Sequence, residues 1–236
     1  MLLLIHGGTA SRRAWDLVTP DLRAGYRIIA VDLRGHGQSP VPSAGYSAPQ
    51  LKADVNRLID KLGLERITLV GHSLGGMTAI LLAASRPDVV ERLILLNAPV
   101  TPNAIHALTG LASRVHSPGF FPLSQAFIEE WSPPPLGLPA VTLATQRAHL
   151  LALHEVVWKQ MFGELARTDI TTALKEVKQP TLILWGAKDG LLGPAQHQQL
   201  QAGIANSRLV VIDDAGHSPH TATPARVAAE IAAFAA

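Results

Sequence analysis

Leu69-Val70-Gly71-His72-Ser73-Leu74-Gly75-Gly76 runs an apolar strand into a serine flanked by glycines and then into a helix. A serine hydroxyl is a poor nucleophile unless it is lifted clear of the backbone and given a base, and a G-x-S-x-G turn does the lifting. Gly71 and Gly75 carry no Cβ to clash in so tight a turn, and the helix that follows aims its first N–H groups at the serine. A plain glycine turn has the same letters, so the context decides. Arg66 to Val70 is aliphatic and β-branched, as a buried strand requires. Met77 to Ser85, with small Ala79, Ala83 and Ala84, suits a closely packed helix that Pro87 helps to end.

Outward from this turn, strand-like runs alternate with helix-like runs: Leu2 to His6, Tyr26 to Asp32, Ile67 to His72, Arg92 to Asn97, Thr181 to Trp185 and Arg208 to Ile212. Alternation of this kind predicts an α/β fold, a mainly parallel sheet with helices on both faces. Each run ends in polar or glycine-rich residues, and functional groups gather at that edge of such sheets. The clearest helix spans Ser47 to Leu62, with a Ser47/Gln50 capping box, Pro49 in its first turn, an apolar face of Leu51, Val55, Leu58, Ile59 and Leu62, and Gly63 as its stop. Another runs from Pro224 to Phe234. Residues 98–172 are too long for a crossover and hold no good strand, which predicts a helical cap inserted into a core domain of 1–97 and 173–236. The Trp131-Ser132-Pro133-Pro134-Pro135 turn lies in its first half, and the apolar residues of Val141 to Leu165 are read mainly as the cap's own core.

The chain has 236 residues, enough to bury a substantial core, with 47% hydrophobic and 16% charged residues. Its net charge of +2 comes from 20 basic and 18 acidic side chains with no run that could track a phosphate backbone, so no nucleic-acid partner is expected. It contains no cysteine, which excludes disulfides and thiolate chemistry and favours a cytoplasmic setting. Met1 to Ile5 is apolar but lacks a basic leader, and it reads as a strand; no stretch reaches the about 18 apolar residues of a membrane span.

Ser73 requires a base and the base requires a carboxylate. His217 follows the strand ending at Ile212, in Asp213-Asp214-Ala215-Gly216-His217-Ser218, at the same sheet edge as the serine. Asp189, in Trp185-Gly186-Ala187-Lys188-Asp189-Gly190, sits just past the preceding strand. Asp213 and Asp214 lie nearer His217 along the chain but are read as loop-shaping residues. The order Ser73, Asp189, His217 is that of a triad on this kind of sheet. Charge developing on a carbonyl oxygen calls for backbone donors: Leu74 N–H, and Gly8 N–H from His6-Gly7-Gly8-Thr9, or Thr9 N–H by a one-residue shift. His6 is read as a structural hydrogen-bonding residue beneath that loop, His72 as an elbow packing residue bordering the site, and His220 as a supporting or exposed residue. His149 and His154 read as cap-helix residues without a metal-ligand set. Asp32 to Ser39 is read as a structural turn, since it lacks the lysine and spacing of a P-loop. Thr9, His72, Trp131 and Trp158 are the candidate pocket residues.

These motifs, His6-Gly7-Gly8, Asp32-Leu33-Arg34-Gly35-His36-Gly37-Gln38-Ser39, Gly71 to Gly76, Trp185 to Asp189 and Gly216-His217, come in an order that resembles the α/β-hydrolase superfamily, in its capped esterase, lactonase and carbon–carbon hydrolase branch. The resemblance covers nearly the whole chain. It implies a nucleophile, acid and base at Ser73, Asp189 and His217, oxyanion donors at Gly8 and Leu74, and no cofactor or metal. Members with an aspartate at the elbow, the epoxide hydrolases and haloalkane dehalogenases, are excluded by Ser73. The family's usual antiparallel hairpin ahead of the first strand is missing here, which predicts an open sheet edge at Tyr26 to Asp32, closed by self-association or marking a shortened chain. The expected activity is hydrolysis of a small to medium carboxylic ester with an apolar part. Lactone or carbon–carbon hydrolysis, acyl transfer and perhydrolysis by the same triad are the alternatives, and a non-catalytic ligand receptor is the reading from another class.

Overall fold

The structure is a computed structural model that describes residues 1–102, 106–134 and 137–236. Its strands are β1 (Leu2–Ile5), β2 (Ile28–Val31), β3 (Ile67–His72), β4 (Val90–Leu96), β5 (Thr181–Gly186) and β6 (Ser207–Ile212). They form one parallel sheet in the order β2-β1-β3-β4-β5-β6. The longer helices of the sheet layers are α2 (Ala48–Leu62), α3 (Leu74–Ser85), α9 (Pro194–Gly203) and α11 (Pro224–Ala235), with short α1 (Thr19–Leu22), α8 (Thr171–Leu174) and α10 (Pro219–Ala222) between elements. Between β4 and β5 lie α4 (His106–Arg114), α5 (Gln125–Trp131), α6 (Ala140–Ala152) and α7 (Glu155–Leu165). No helix among the described residues is long and apolar enough to cross a membrane.

Parallel strands buried on both faces read as continuous apolar runs, and the two-residue period divides their side chains between the faces. Leu3, Ile5, Leu69, Leu93, Leu95 and Ile183 join one apolar cluster with α2 and α3. Leu2, Leu4, Val70, Ile94, Leu96 and Leu182 join the other, with Trp15, Val18 and the α11 residues Val227 and Ile231. A one-residue register slip would exchange the faces, so burial on both sides pins β1 and β3 firmly enough to carry strained loops at their ends. The first cluster continues into the segment between β4 and β5 through Leu111, Val115, Phe127, Leu150 and Val157.

Helix α2 starts and stops where its letters require. Ser47 N–H donates to Gln50 Oε1 at 3.3 Å, and Gly63, at φ 56°, closes the helix in the left-handed conformation. β2 occupies a sheet edge as expected but begins later than Tyr26. Tyr26 N–H turns back to Leu22 O at 3.1 Å and its hydroxyl donates to Ala232 O at 3.0 Å, which draws it out of the ladder.

Candidate active site

At the C-terminal ends of the strands, β3 turns sharply into α3 through Ser73, whose φ of 50° and ψ of −119° fall in a sparsely populated region. The turn holds because its neighbours leave it no alternative. Ser73 N–H donates to Leu96 O at 3.0 Å, and Ser73 O accepts from Gly76 and Met77. A Cβ on Gly71 would lie 2.4 Å from Gly75 O, one on Gly75 would lie 2.4 Å from both Ile5 O and His6 O, and one on Gly76 would meet Ala98 Cβ at 2.5 Å. The glycines bring α3 hard against β1 and β4, and this thrusts the serine side chain outward.

His217 Nε2 lies 3.1 Å from Ser73 Oγ, and His217 Nδ1 lies 2.8 Å from Asp189 Oδ2. The Asp189 side chain is fully buried, and its other oxygen accepts from Leu191 N–H at 2.8 Å and Leu192 N–H at 3.1 Å. A carboxylate held on both oxygens fixes the imidazole with its proton on Nδ1, leaving the Nε2 lone pair facing the serine hydroxyl. Asp213 and Asp214 are exposed and play no part in this chain of bonds.

Asn97, identified from sequence only as the end of a strand, ties the loops that carry Asp189 and His217 together. It is fully buried, at φ 42°; its Oδ1 accepts from Gly186 N–H at 3.0 Å and its Nδ2 donates to Gly216 O at 3.0 Å. A Cβ on Gly186 would fall 2.2 Å from Gly216 O, so the two loops touch backbone to backbone where Asn97 joins them. A lone polar residue ending an apolar strand was the available signal, since asparagine tolerates the left-handed region that other residues avoid.

His72 Nε2–H donates to His217 O at 2.8 Å, so the turn at Ser73 also steadies the His217 loop. Its ring packs 4.5 Å from that of His220, which lies 4.9 Å from Trp15. Burial, then His220 and His217, hold the His72 pKa well below the ordinary histidine value, while burial and His217 push His220 down to about 3. His220 is thus a buried supporting residue. His6 underlies the glycine loop: Leu33 N–H donates to its Nε2 at 3.1 Å, which leaves Nδ1–H to donate to Gly7 O at 2.6 Å. Burial and neighbouring His36 lower His6 to about 3, so it stays neutral and keeps this tautomer. The Asp32 to Ser39 turn is structural, with Asp32 accepting from Arg12 N–H at 2.7 Å, from Gln38 N–H at 3.1 Å and from the Arg12 guanidinium.

Ser73 opens into a cavity of about 680 Å³, to which Gly8, Thr9, His72, Trp131 and His217 also contribute. Gly8 and Leu74 offer N–H groups with no acceptor among the described residues. Thr9 holds φ 61°, unusual for a β-branched residue, and its Oγ1 accepts from Trp131 Nε1–H at 3.0 Å. Trp158 does not line the cavity. It is fully buried behind the lining, stacked on Phe162 at 5.4 Å and set edge-on to Trp131 at 5.9 Å, so the pocket expectation fails for this residue because it serves as the centre of an aromatic cluster. Pro135 of the proline turn lies outside the described residues, whereas Ser132, Pro133 and Pro134 border the cavity. No group of three His, Cys, Asp or Glu side chains among the described residues is arranged to hold a metal ion.

The sequence of the chain matches the profile described as the alpha/beta hydrolase family over residues 2–230. The chain belongs to the alpha/beta hydrolase family. Among its relatives in this family is the sn-1-specific diacylglycerol lipase of Mus musculus, 31% identical over 239 residues, covering 94% of this chain and 76% of that protein. A 2-hydroxy-6-oxononadienedioate/2-hydroxy-6-oxononatrienedioate hydrolase of Cupriavidus pinatubonensis is 28% identical over 231 residues, covering 92% of this chain and 80% of that one. The crystal structure of the enol-lactonase from Burkholderia xenovorans superposes with a TM-score of 0.85 at 25% identity, covering 99% of this chain and 90% of the lactonase. Its hydrolase relatives mark this family member as an enzyme of the alpha/beta-hydrolase kind.

Proposed function

We propose that the protein is a cofactor-independent serine hydrolase that cleaves a small to medium carboxylic ester with an apolar part through an acyl-enzyme. The observation that carries this reading is the hydrogen-bonded chain from Ser73 Oγ through His217 to Asp189, with 3.1 Å and 2.8 Å links, opening on a cavity with apolar walls at Phe162, Leu165, Leu191 and Leu192. Ser73 Oγ attacks the ester carbonyl while His217 Nε2 takes its proton. Asp189 holds the Nδ1–H and stabilises the imidazolium, and the N–H groups of Gly8 and Leu74 receive the charge on the carbonyl oxygen. His217 returns the proton to the departing alkoxide oxygen, and the alcohol leaves. A water molecule then gives a proton to His217 as its oxygen attacks the acyl-enzyme, and collapse releases the acid and restores Ser73.

In this reading residues 98–172 act as a cap, with Trp131 as both wall and brace of the glycine loop. A roof of this kind limits water and strengthens the electrostatic interactions beneath it. The names of the lactonase and dienedioate-hydrolase relatives favour lactone opening or carbon–carbon hydrolysis as the second reading, run by the same residues. Turnover of matched simple-ester, lactone and vinylogous-diketone substrates separates the two. Replacing Ser73 by Ala should lower ester turnover by about four orders of magnitude, because members of a triad act as a unit. Near-normal hydrolysis by a folded Ser73→Ala protein overturns the reading.

A further inference from the structure

The helix above the elbow carries a polar face where an apolar substrate alone would need none. Thr142, Thr145, Gln146 and His149 follow helical spacing along α6, and all line the cavity that holds Ser73. The far end of this stripe is anchored: His149 Nδ1 lies 3.0 Å from Ser11 Oγ, on the loop after β1. Ser11 is only 2% exposed, and its oxygen already accepts from Arg13 N–H at 3.3 Å. Among the described residues the Ser11 hydroxyl proton has no acceptor other than His149 Nδ1, and at 2% exposure the residue has little access to solvent. Leaving it unpaired would incur the full cost of desolvation, so the hydroxyl donates to Nδ1. A neutral His149 in this bond carries its proton on Nε2, which has no protein partner among the described residues.

From this arrangement we propose that the site takes an oxygenated ester, one whose chain carries a neutral acceptor oxygen (a hydroxyl, ether or second carbonyl) that receives the Nε2–H of His149. The inference rests on the serine-hydrolase reading and specifies its substrate class. Ser11 acts as a positioning residue that sets the tautomer, and His149 as a specificity-determining residue. The acceptor is neutral rather than a carboxylate because the cations bordering the cavity are balanced. Arg13 pairs with Asp16 at 2.8 Å, and Lys188 shares the border with Asp214. The apolar walls from α7 and the acid loop receive the rest of the chain.

The test compares kcat/KM for three esters of equal chain length, ending in a methyl, a hydroxyl or a carboxylate. The variable group is placed several carbons from the ester, and rates are normalised to each compound's hydroxide hydrolysis. Wild-type protein should favour the hydroxyl ester over the methyl ester by about tenfold or more, as a site that donates to a substrate oxygen disfavours the analogue lacking it. His149→Phe should bring that ratio to about one, and His149→Gln, which restores a donor, should recover part of it; Ser11→Ala should lower it by releasing the tautomer. A wild-type ratio near one overturns the proposal, as does a ratio unchanged in His149→Phe or a preference for the carboxylate ester. If a variant does not fold, the wild-type ratios still decide. Wild-type protein that turns over the methyl ester as fast as the hydroxyl ester refutes the substrate class alone, whereas absence of turnover on every ester refutes the underlying serine-hydrolase reading.

Discussion

Mild acid should destabilise this protein through its buried histidines before its carboxylates titrate. His6 and His220 are 0% and 2% exposed and both are pushed down to about 3, chiefly by burial, with His72 displaced in the same direction. The unfolded chain presents these imidazoles with a pKa of about 6.5, so between about 6.5 and 3 it binds protons that the folded chain refuses. Stability contributed by the neutral form is therefore complete above 6.5 and is lost as pH falls. For a group displaced from about 6.5 to about 3, linkage gives a loss of about 2 kcal/mol on going from pH 8 to pH 5. His6 and His220 together give about 4 kcal/mol, to which His72 adds, against a typical domain stability of about 5–15 kcal/mol. Asp32, Asp88 and Asp169, whose pKa values are lowered, contribute stability that disappears only below about 4, outside this window. Urea unfolding followed by tryptophan fluorescence at pH 8 and pH 5 measures the loss in the parent and in His220→Phe, which fills the space beside Trp15 without a titrating group. The variant should lose about 2 kcal/mol less than the parent over this interval. Equal losses in the two proteins, or a parent whose stability is flat from pH 8 to pH 5, would show that the fold does not hold His220 neutral.

Asn97→Gly keeps a residue that tolerates φ 42° but leaves Gly186 N–H and Gly216 O without their partner, at about 1–3 kcal/mol each. Urea unfolding should show that cost, and kcat should fall more than KM rises, because the Asp189 and His217 loops lose their shared anchor. Asp189→Asn should fold normally yet lower kcat by about four orders of magnitude by favouring the wrong His217 tautomer, as steady-state kinetics beside a circular dichroism melt will show. Gly75→Ala drives a Cβ to within 2.4 Å of two backbone carbonyls and should give insoluble or grossly destabilised protein. Gly25→Ala, with nothing within 4 Å, should melt like the parent.

The parallel sheet was legible in the sequence because strands buried on both faces must be uninterrupted apolar runs, and the elbow because only glycines fit beside its carbonyls. The positions of Asp189 and His217 followed from the same logic, since each lies where a strand leaves the sheet. The helical segment resisted such reading. An aromatic residue on α7 satisfies helical spacing equally well whether it faces the cavity or the neighbouring helices, and Trp158 turned out to face the latter. The link from Ser11 to His149 spans 138 residues of chain, a separation for which local pattern carries no information. Asn97 lay hidden for a different reason: its two hydrogen bonds join loops that become neighbours only after β4, β5 and β6 have paired.

The most direct test of the central claim is covalent labelling with a fluorophosphonate, with the modified peptide mapped by mass spectrometry. Stoichiometric modification of Ser73, loss of ester turnover in step with labelling, and no labelling of Ser73→Ala are the expected results. Folded protein that leaves Ser73 unmodified, or that keeps its turnover after Ser73 is fully labelled, contradicts that claim.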